Sequence, residues 1–248
     1  MKLKATISRL LLPYFEYPGL VEKNREQEDQ ISSYKKKLHF YERREYGDEI
    51  NPLQHNTAEA MDEFFQKIDD VEPYIAFGRS LRKELDERGL TTSGKTVLDW
   101  GVGPGIVLHE IVADCNPLNI TGYDTSEVAL SHARLLFPKG RFAVQDIYNP
   151  PQEQFDLVIC TEVLEHLENP EAALRTLWQM RNHHGAILLT VPDGRMDYSR
   201  LHINFWSPES WSLFLKKNLP DSANVETGTF SPYEHRASRN NFALISSC

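Results

Sequence analysis

The chain has 248 residues, enough for one sizeable α/β domain and an extension. Its formal net charge of −9 disfavours non-specific attraction to nucleic acid or to an anionic membrane, and no apolar run is long enough to span a bilayer. The three cysteines, Cys115, Cys160 and Cys248, have neither metal-ligand nor disulfide-framework spacing, which predicts reduced thiols in a cytoplasmic protein.

Near the N-terminus, Leu10, Leu11 and Leu12 follow Lys2, Lys4 and Arg9, but Pro13 and Glu16 cut the run short and no small-residue cleavage site follows. A signal peptide is not expected. Residues 22–46 are highly charged, with Ile31, Tyr34, Leu38 and Tyr41 spaced by three and four. That pattern predicts a helix with one narrow apolar stripe, suited to self-association or to docking a protein partner. Residues 1–56 are therefore read as a helical extension and 57–248 as the main domain.

Within that domain, 57–89 reads as a helical cap. Asn56 with Glu59 has the capping-box spacing, and Met61, Phe64, Phe65 and Ile68 form an apolar face. Pro73 breaks the helix, and a second one carries Ile75, Leu81 and Leu85 to Gly89. From residue 90 onward, strands alternate with helices, the signature of a parallel sheet with crossover helices.

The chain is organised around residues 96–111, TVLDWGVGPGIVLHEI. Val97, Leu98 and Trp100 suit a buried strand, Gly101, Gly103 and Gly105 a tight turn, and Ile106, Val107, Leu108 and Ile111 a helix. A dinucleotide fingerprint would need its third glycine one residue later, where Ile106 stands. Asp99 at the strand end would repel a pyrophosphate but could accept hydrogen bonds from an ammonium group. A nicotinamide-dependent oxidoreductase is thus the weaker reading.

Here the chain resembles the class I S-adenosylmethionine-dependent methyltransferases. Asp99, Gly101, Gly103 and Gly105 match their first motif without a gap, and the resemblance covers residues 90–246. It implies a Rossmann-like, seven-stranded, mostly parallel sheet ending in an antiparallel hairpin. It also implies that the first motif holds the methionine end of S-adenosylmethionine, and that Tyr74, Phe77 and Arg79 of the cap approach the site, though plain packing suits Phe77 better.

Asp124 ends the second strand, 119–124, about twenty residues beyond the glycines, where a carboxylate can accept hydrogen bonds from both ribose hydroxyls. Ser126 is the expected cap of the helix that follows. The third strand is expected over 141–146. By the resemblance, Asp146 meets the adenine amine and Ile147 packs on the ring. Residues 155–161 form the fourth strand, and the run FDLVICTEVLEHL closely resembles the fourth motif of small-molecule and quinone O-methyltransferases.

Asn169 and Pro170 start the next helix as cap and first residue, and His183–His184 are expected to complement the dipole at its C-terminus. The fifth strand is expected over 186–191. The long loop after it carries His202 and should lie over the pocket mouth. Ser207 opens the last helix, and 223–230 with 240–246 form the terminal hairpin.

An oxygen acceptor needs its proton removed by a base or loosened by a metal. The expected catalytic residues are His166, His202 and Glu162, acting on a small-molecule or sugar hydroxyl. A metal-free site is expected. Glu162, Glu165, His166 and His202 are the side chains that would hold Mg²⁺, Mn²⁺ or Zn²⁺ in the alternative. Their Glu-x-x-Glu-His run with a later histidine is similar to that of metal-dependent small-RNA 2′-O-methyltransferases, but the negative charge argues against RNA. A non-catalytic scaffold on this fold is the remaining alternative.

Overall fold

The computed structural model describes residues 56–68, 70–197, 199, 201–231 and 239–247. The helix expected over 22–46 and Cys248 lie outside these residues.

Two helices precede the sheet. Helix α1 spans Ala58–Gln66 and is capped by Thr57, whose hydroxyl accepts from the Ala60 N–H at 3.3 Å. The expected cap, Asn56, is one residue too early, because its amide is used elsewhere. Helix α2 spans Glu72–Glu87 and buries Phe77, Leu81 and Leu85. Pro73 sits in its first turn, where a missing N–H costs nothing. The helix closes on Gly89 as expected, with the Leu90 N–H bonding the Leu85 carbonyl.

Strand β1, Val97–Trp100, is buried along its whole length and leads through the glycine turn into helix α3, Ile106–Ile111. Strand β2 covers Ile120–Asp124, one residue shorter than expected because Asn119 belongs to a short 3₁₀ turn. Helix α4, Glu127–Leu136, is capped by Ser126. Strand β3 is Arg141–Val144 and stops two residues short of the expected end. There the Asp146 carboxylate accepts the Tyr148 N–H and folds the chain into a loop. Strand β4 is Phe155–Thr161, as expected, and Asn169 caps helix α5, Pro170–Met180.

Strand β5, Arg181–Pro192, starts immediately after α5, five residues before its expected start. His183 and His184 therefore lie in a strand and complement no helix dipole. Phe155 pairs with Arg181, whereas Leu157 pairs with Ala186, so β5 bulges between them. The Arg181 guanidinium pins this bulge by donating to the carbonyls of Asn182, His183 and Gly185. Helix α6, Pro208–Asn218, is capped by Ser207, and β6, Ala223–Phe230, pairs antiparallel with β7, Asn240–Ser247.

The seven strands are ordered β3-β2-β1-β4-β5-β7-β6. The first five are parallel, and β7 runs antiparallel to both its neighbours. Successive strand residues feed opposite layers. Leu98, Val158 and Cys160 join the α5–α6 side with Leu174, Leu177 and Trp211. Val97, Leu157 and Ile159 join the α2–α3 side with Leu81, Leu108 and Leu130. The order reverses between β1 and β4, and at that switch point an open α/β sheet offers a crevice at its strand ends.

Candidate active site

The candidate cofactor half lies where β1 enters its turn. Gly101, Gly103 and Gly105 have φ of +78°, +53° and +81°. The Gly101 and Val102 N–H groups both donate to the Tyr123 carbonyl. Gly103 N–H donates to Asp124 Oδ2 at 2.8 Å, and Ser126 N–H to Oδ1 at 2.9 Å. Both oxygens of Asp124 are thus aimed by the backbone. Burial raises the Asp124 pKa, opposed by these N–H donors.

Asp99 is buried, and its Oδ1 has no hydrogen-bond partner. Burial, and then the charge of Asp124, push its pKa up to about 8. An orphaned buried carboxylate oxygen fits a cationic group, and the α-ammonium of S-adenosylmethionine is one. Helix α1 lies across this region. Asp62 Oδ1 accepts from Ser126 Oγ at 2.5 Å and from Val128 N–H at 3.1 Å. The Phe65 ring stands 3.4 Å from where a Cβ on Gly103 would be.

The candidate acceptor half follows β4. Glu162 has φ +56°, a left-handed conformation costly for a non-glycine residue and frequent at functional sites. Its N–H bonds the Thr190 carbonyl, and its two carboxylate oxygens accept from Thr190 Oγ1 at 2.9 Å and Asn240 Nδ2 at 2.8 Å. Burial raises its pKa to about 7 against those two bonds.

Glu165 is 1% exposed, and neither carboxylate oxygen has a partner. Its burial, with the charge of Glu162, lifts it well above the usual carboxylate range. Its carbonyl accepts the Ile203 and Asn204 N–H groups, which ties down the loop after β5. That loop places His202 edge-on to His166, with ring centroids 4.6 Å apart. Asp197 Oδ2 lies 2.5 Å from His202 Nδ1. His166 Nδ1 faces Asn56 Oδ1 at 3.1 Å and the Leu201 carbonyl at 3.2 Å. Burial, then His202, lower the His166 pKa to about 4, so the ring is neutral at pH 7.

Each histidine therefore meets only oxygen acceptors at Nδ1. On the neutral His166 ring the proton is assigned to Nδ1, which leaves Nε2 its lone pair. Glu165, His166 and His202 offer ligand atoms within 4.8 Å of one another. One carboxylate and two imidazoles fit a divalent ion, and the orphaned Glu165 oxygens are consistent with one. Glu162 falls outside that group. Its oxygens are engaged by Thr190 and Asn240.

The structure thus brings together Glu162, Glu165, His166 and His202 on one side, and Asp99, the glycines and Asp124 on the other. Asp146 is exposed and uses its two oxygens on Tyr148 and Asn149 of its own loop, while Ile147 is buried in the α5–α6 layer. Arg79 pairs with Glu110 of α3 at 3.0 Å, and Phe77 packs in the core. Sequence reasoning missed Asn56, Asp62 and Asp197. Only Asp197 had a signal, its place five residues before His202 in one loop.

The two halves interlock. A Cβ on Gly101 would stand 2.2 Å from Val163 Cγ2, in the residue between Glu162 and Leu164. Gly101→Ala adds that clash to the strain of a positive φ. Its expected result is a loss of about 2 kcal/mol or more in denaturant unfolding, together with weaker cofactor binding. An unchanged midpoint and affinity would show that Val163 yields freely.

A family profile described as a methyltransferase domain matches residues 73–225, more than half of the chain. The chain belongs to this family of methyltransferase domains. Membership brings S-adenosylmethionine with it as the cofactor. The chain is 30% identical over 148 residues to a ubiquinone biosynthesis O-methyltransferase of Aromatoleum aromaticum, covering 57% of this chain and 56% of that one. A Pseudomonas entomophila protein of the same name is 29% identical over 169 residues, covering 63% and 64%. The chain thus spans less than two thirds of the length of these relatives. In fold it is similar to the N-methyltransferase NodS of Bradyrhizobium japonicum, solved with S-adenosyl-L-homocysteine. That match has a TM-score of 0.60 and 18% identity over 77% of this chain and 98% of NodS. No helix among the described residues is long and apolar enough to cross a membrane.

Proposed function

We propose that this methyltransferase transfers the S-adenosylmethionine methyl group to a hydroxyl oxygen of a small molecule. The observation that carries the reading is the His202–Asp197 pair beside His166, at the sheet's switch point next to the glycine turn. Its O-methyltransferase relatives point the same way.

In this reading Asp99 takes the ammonium of the methionine end, Gly101, Gly103 and Gly105 let it approach, and Asp124 binds the ribose. Asp146 and Ile147 border the adenine. His202 Nε2 removes the acceptor proton as the oxygen attacks the methyl carbon in line. The O–CH₃ bond forms, the C–S bond breaks, and S-adenosylhomocysteine leaves. Asp197 holds the His202 ring and steadies the imidazolium. His166 Nε2 accepts a hydrogen bond from the acceptor, and Glu162 shapes the floor between them. A cytoplasmic location is part of the proposal, as is the division into an extension and a methyltransferase domain, with Asn56 on the domain side. A screen of phenols, catechols and sugars for S-adenosylhomocysteine release tests it. Turnover of none of them by a protein that binds the cofactor would leave the scaffold reading.

The unpartnered oxygens of Glu165 favour one second reading. A divalent ion on Glu165, His166 and His202 would lower the hydroxyl pKa in place of a base. On the metal-free reading, protein dialysed against a chelator keeps its full rate. A loss of tenfold or more, restored by Mg²⁺ or Mn²⁺, would move the proton chemistry to the ion.

A further inference from the structure

Asn56 precedes the cap of α1, yet its amide reaches two distant loops. Nδ2 donates to the His166 carbonyl at 3.2 Å and to the Leu201 carbonyl at 3.0 Å. Oδ1 faces His166 Nδ1 at 3.1 Å. The amide has one sensible orientation. Turned over, it would aim its oxygen at two carbonyl oxygens. The second oxygen at His166 Nδ1 is the Leu201 carbonyl, which Asn56 itself holds in place. Asn56 therefore contributes to both contacts that keep the proton on Nδ1.

Apolar burial seats this segment only in part: Met61, Phe65 and Ile68 are half-buried. Helix α1 buries none of its residues, and Phe64 is 46% exposed. Polar contacts hold it at two points, Asn56 on the acceptor loops and Asp62 on Ser126 and Val128 beside Asp124.

We propose that Asn56 is a positioning residue of the methyl-transfer reaction. It locks the His166 ring with Nδ1 protonated and Nε2 bare toward the acceptor, and it joins the loop after β4 to the loop after β5. This rests on His166 and His202 forming the acceptor site. A side chain that merely pinned α1 would need none of the contact at Nδ1.

The test compares the full chain with Asn56→Ala and Asn56→Asp. The aspartate keeps an acceptor at Nδ1 but loses the donor to the two carbonyls. Imidazole ¹⁵N spectra at pH 8, with the His166 signal identified by its loss in His166→Gln, should show Nδ1 protonated in the wild type and in Asn56→Asp. In Asn56→Ala the two nitrogens should shift toward each other. With the acceptor found in the hydroxyl screen, Asn56→Ala should lose about ten- to a hundredfold in kcat, with Asn56→Asp recovering part of it. Affinity for S-adenosylhomocysteine should stay within about twofold throughout.

An unchanged ¹⁵N pattern in Asn56→Ala would overturn the proposal. So would a fall in kcat matched by cofactor affinity and not rescued by aspartate. If the wild type turns over no hydroxyl substrate, the functional reading fails, while the spectra still decide what Asn56 does to His166.

Discussion

Asp99→Asn is expected to raise the melting temperature of the cofactor-free protein at pH 8 and to remove most of its affinity for S-adenosylmethionine. The two effects share one cause. Buried without a partner for Oδ1, Asp99 has a pKa of about 8 against a usual 3.8. Below pH 3.8 the carboxyl is neutral in both folded and unfolded chains, so its titration costs the fold nothing. Above that, the unfolded chain releases the proton and the folded chain keeps it. Stability is then lost at about 1.4 kcal/mol per pH unit, to a ceiling of about 6 kcal/mol approached near pH 8. Asparagine carries no such penalty. The variant's advantage should vanish near pH 4 and be greatest at pH 8.

The cofactor's ammonium, in turn, loses a buried anion. Removing one partner of such a pair costs about 3–5 kcal/mol, or about two to four decades in Kd. In the wild type, affinity should rise with pH between 6 and 8. Calorimetry in buffers of different ionisation enthalpy should then show protons released on binding at pH 7. Unchanged affinity in Asp99→Asn, or no gain in melting temperature at pH 8, would remove Asp99 from the methionine end of the site.

The second large effect is expected at His202. His202→Gln should lower kcat by about 10²- to 10⁴-fold, the usual contribution of a positioned general base. Affinity for S-adenosylhomocysteine should not change, because no cofactor contact is assigned to this residue. Asp197→Asn should also lower kcat. His202 and Asp197 are joined through Nδ1, so the double variant should be little slower than His202→Gln alone. Additive losses would show that the two act separately. A fall of less than about threefold in His202→Gln would take the proton transfer away from this ring.

Glu162 shows how the fold supports that site. Its φ of +56° is strained, and bonds from Thr190 and Asn240 on β5 and β7 hold it there. The antiparallel end of the sheet therefore steadies the residue that leads into Glu165 and His166.

Much of this was legible locally. The bounds of β4 follow from an apolar run between turn signals. The caps Ser126, Asn169 and Ser207 stand where short polar side chains meet the start of an apolar period. The same reasoning misplaced Asn56, because a residue of the right type close to a helix start need not cap it. His183–His184 before Gly185 read as a helix end, but the chain had already entered β5. What decides that is the pairing of Arg181 with Phe155 across the sheet. The third strand ends at Val144 and not at Asp146, because the Asp146 carboxylate accepts the Tyr148 N–H and turns the chain into a loop.

By itself the sequence determined the alternation of strands and helices, the glycine turn after Asp99, and the acidic residue ending β2. These depend on residue period, backbone freedom and contacts a few positions apart. Only the tertiary structure decided that Asn56 and Asp197 join Glu165, His166 and His202, which the sequence had already grouped. The bonds of this cluster join residues as far as 145 positions apart. Partners at that separation are chosen by how the sheet and its loops close, and no local pattern carries that information.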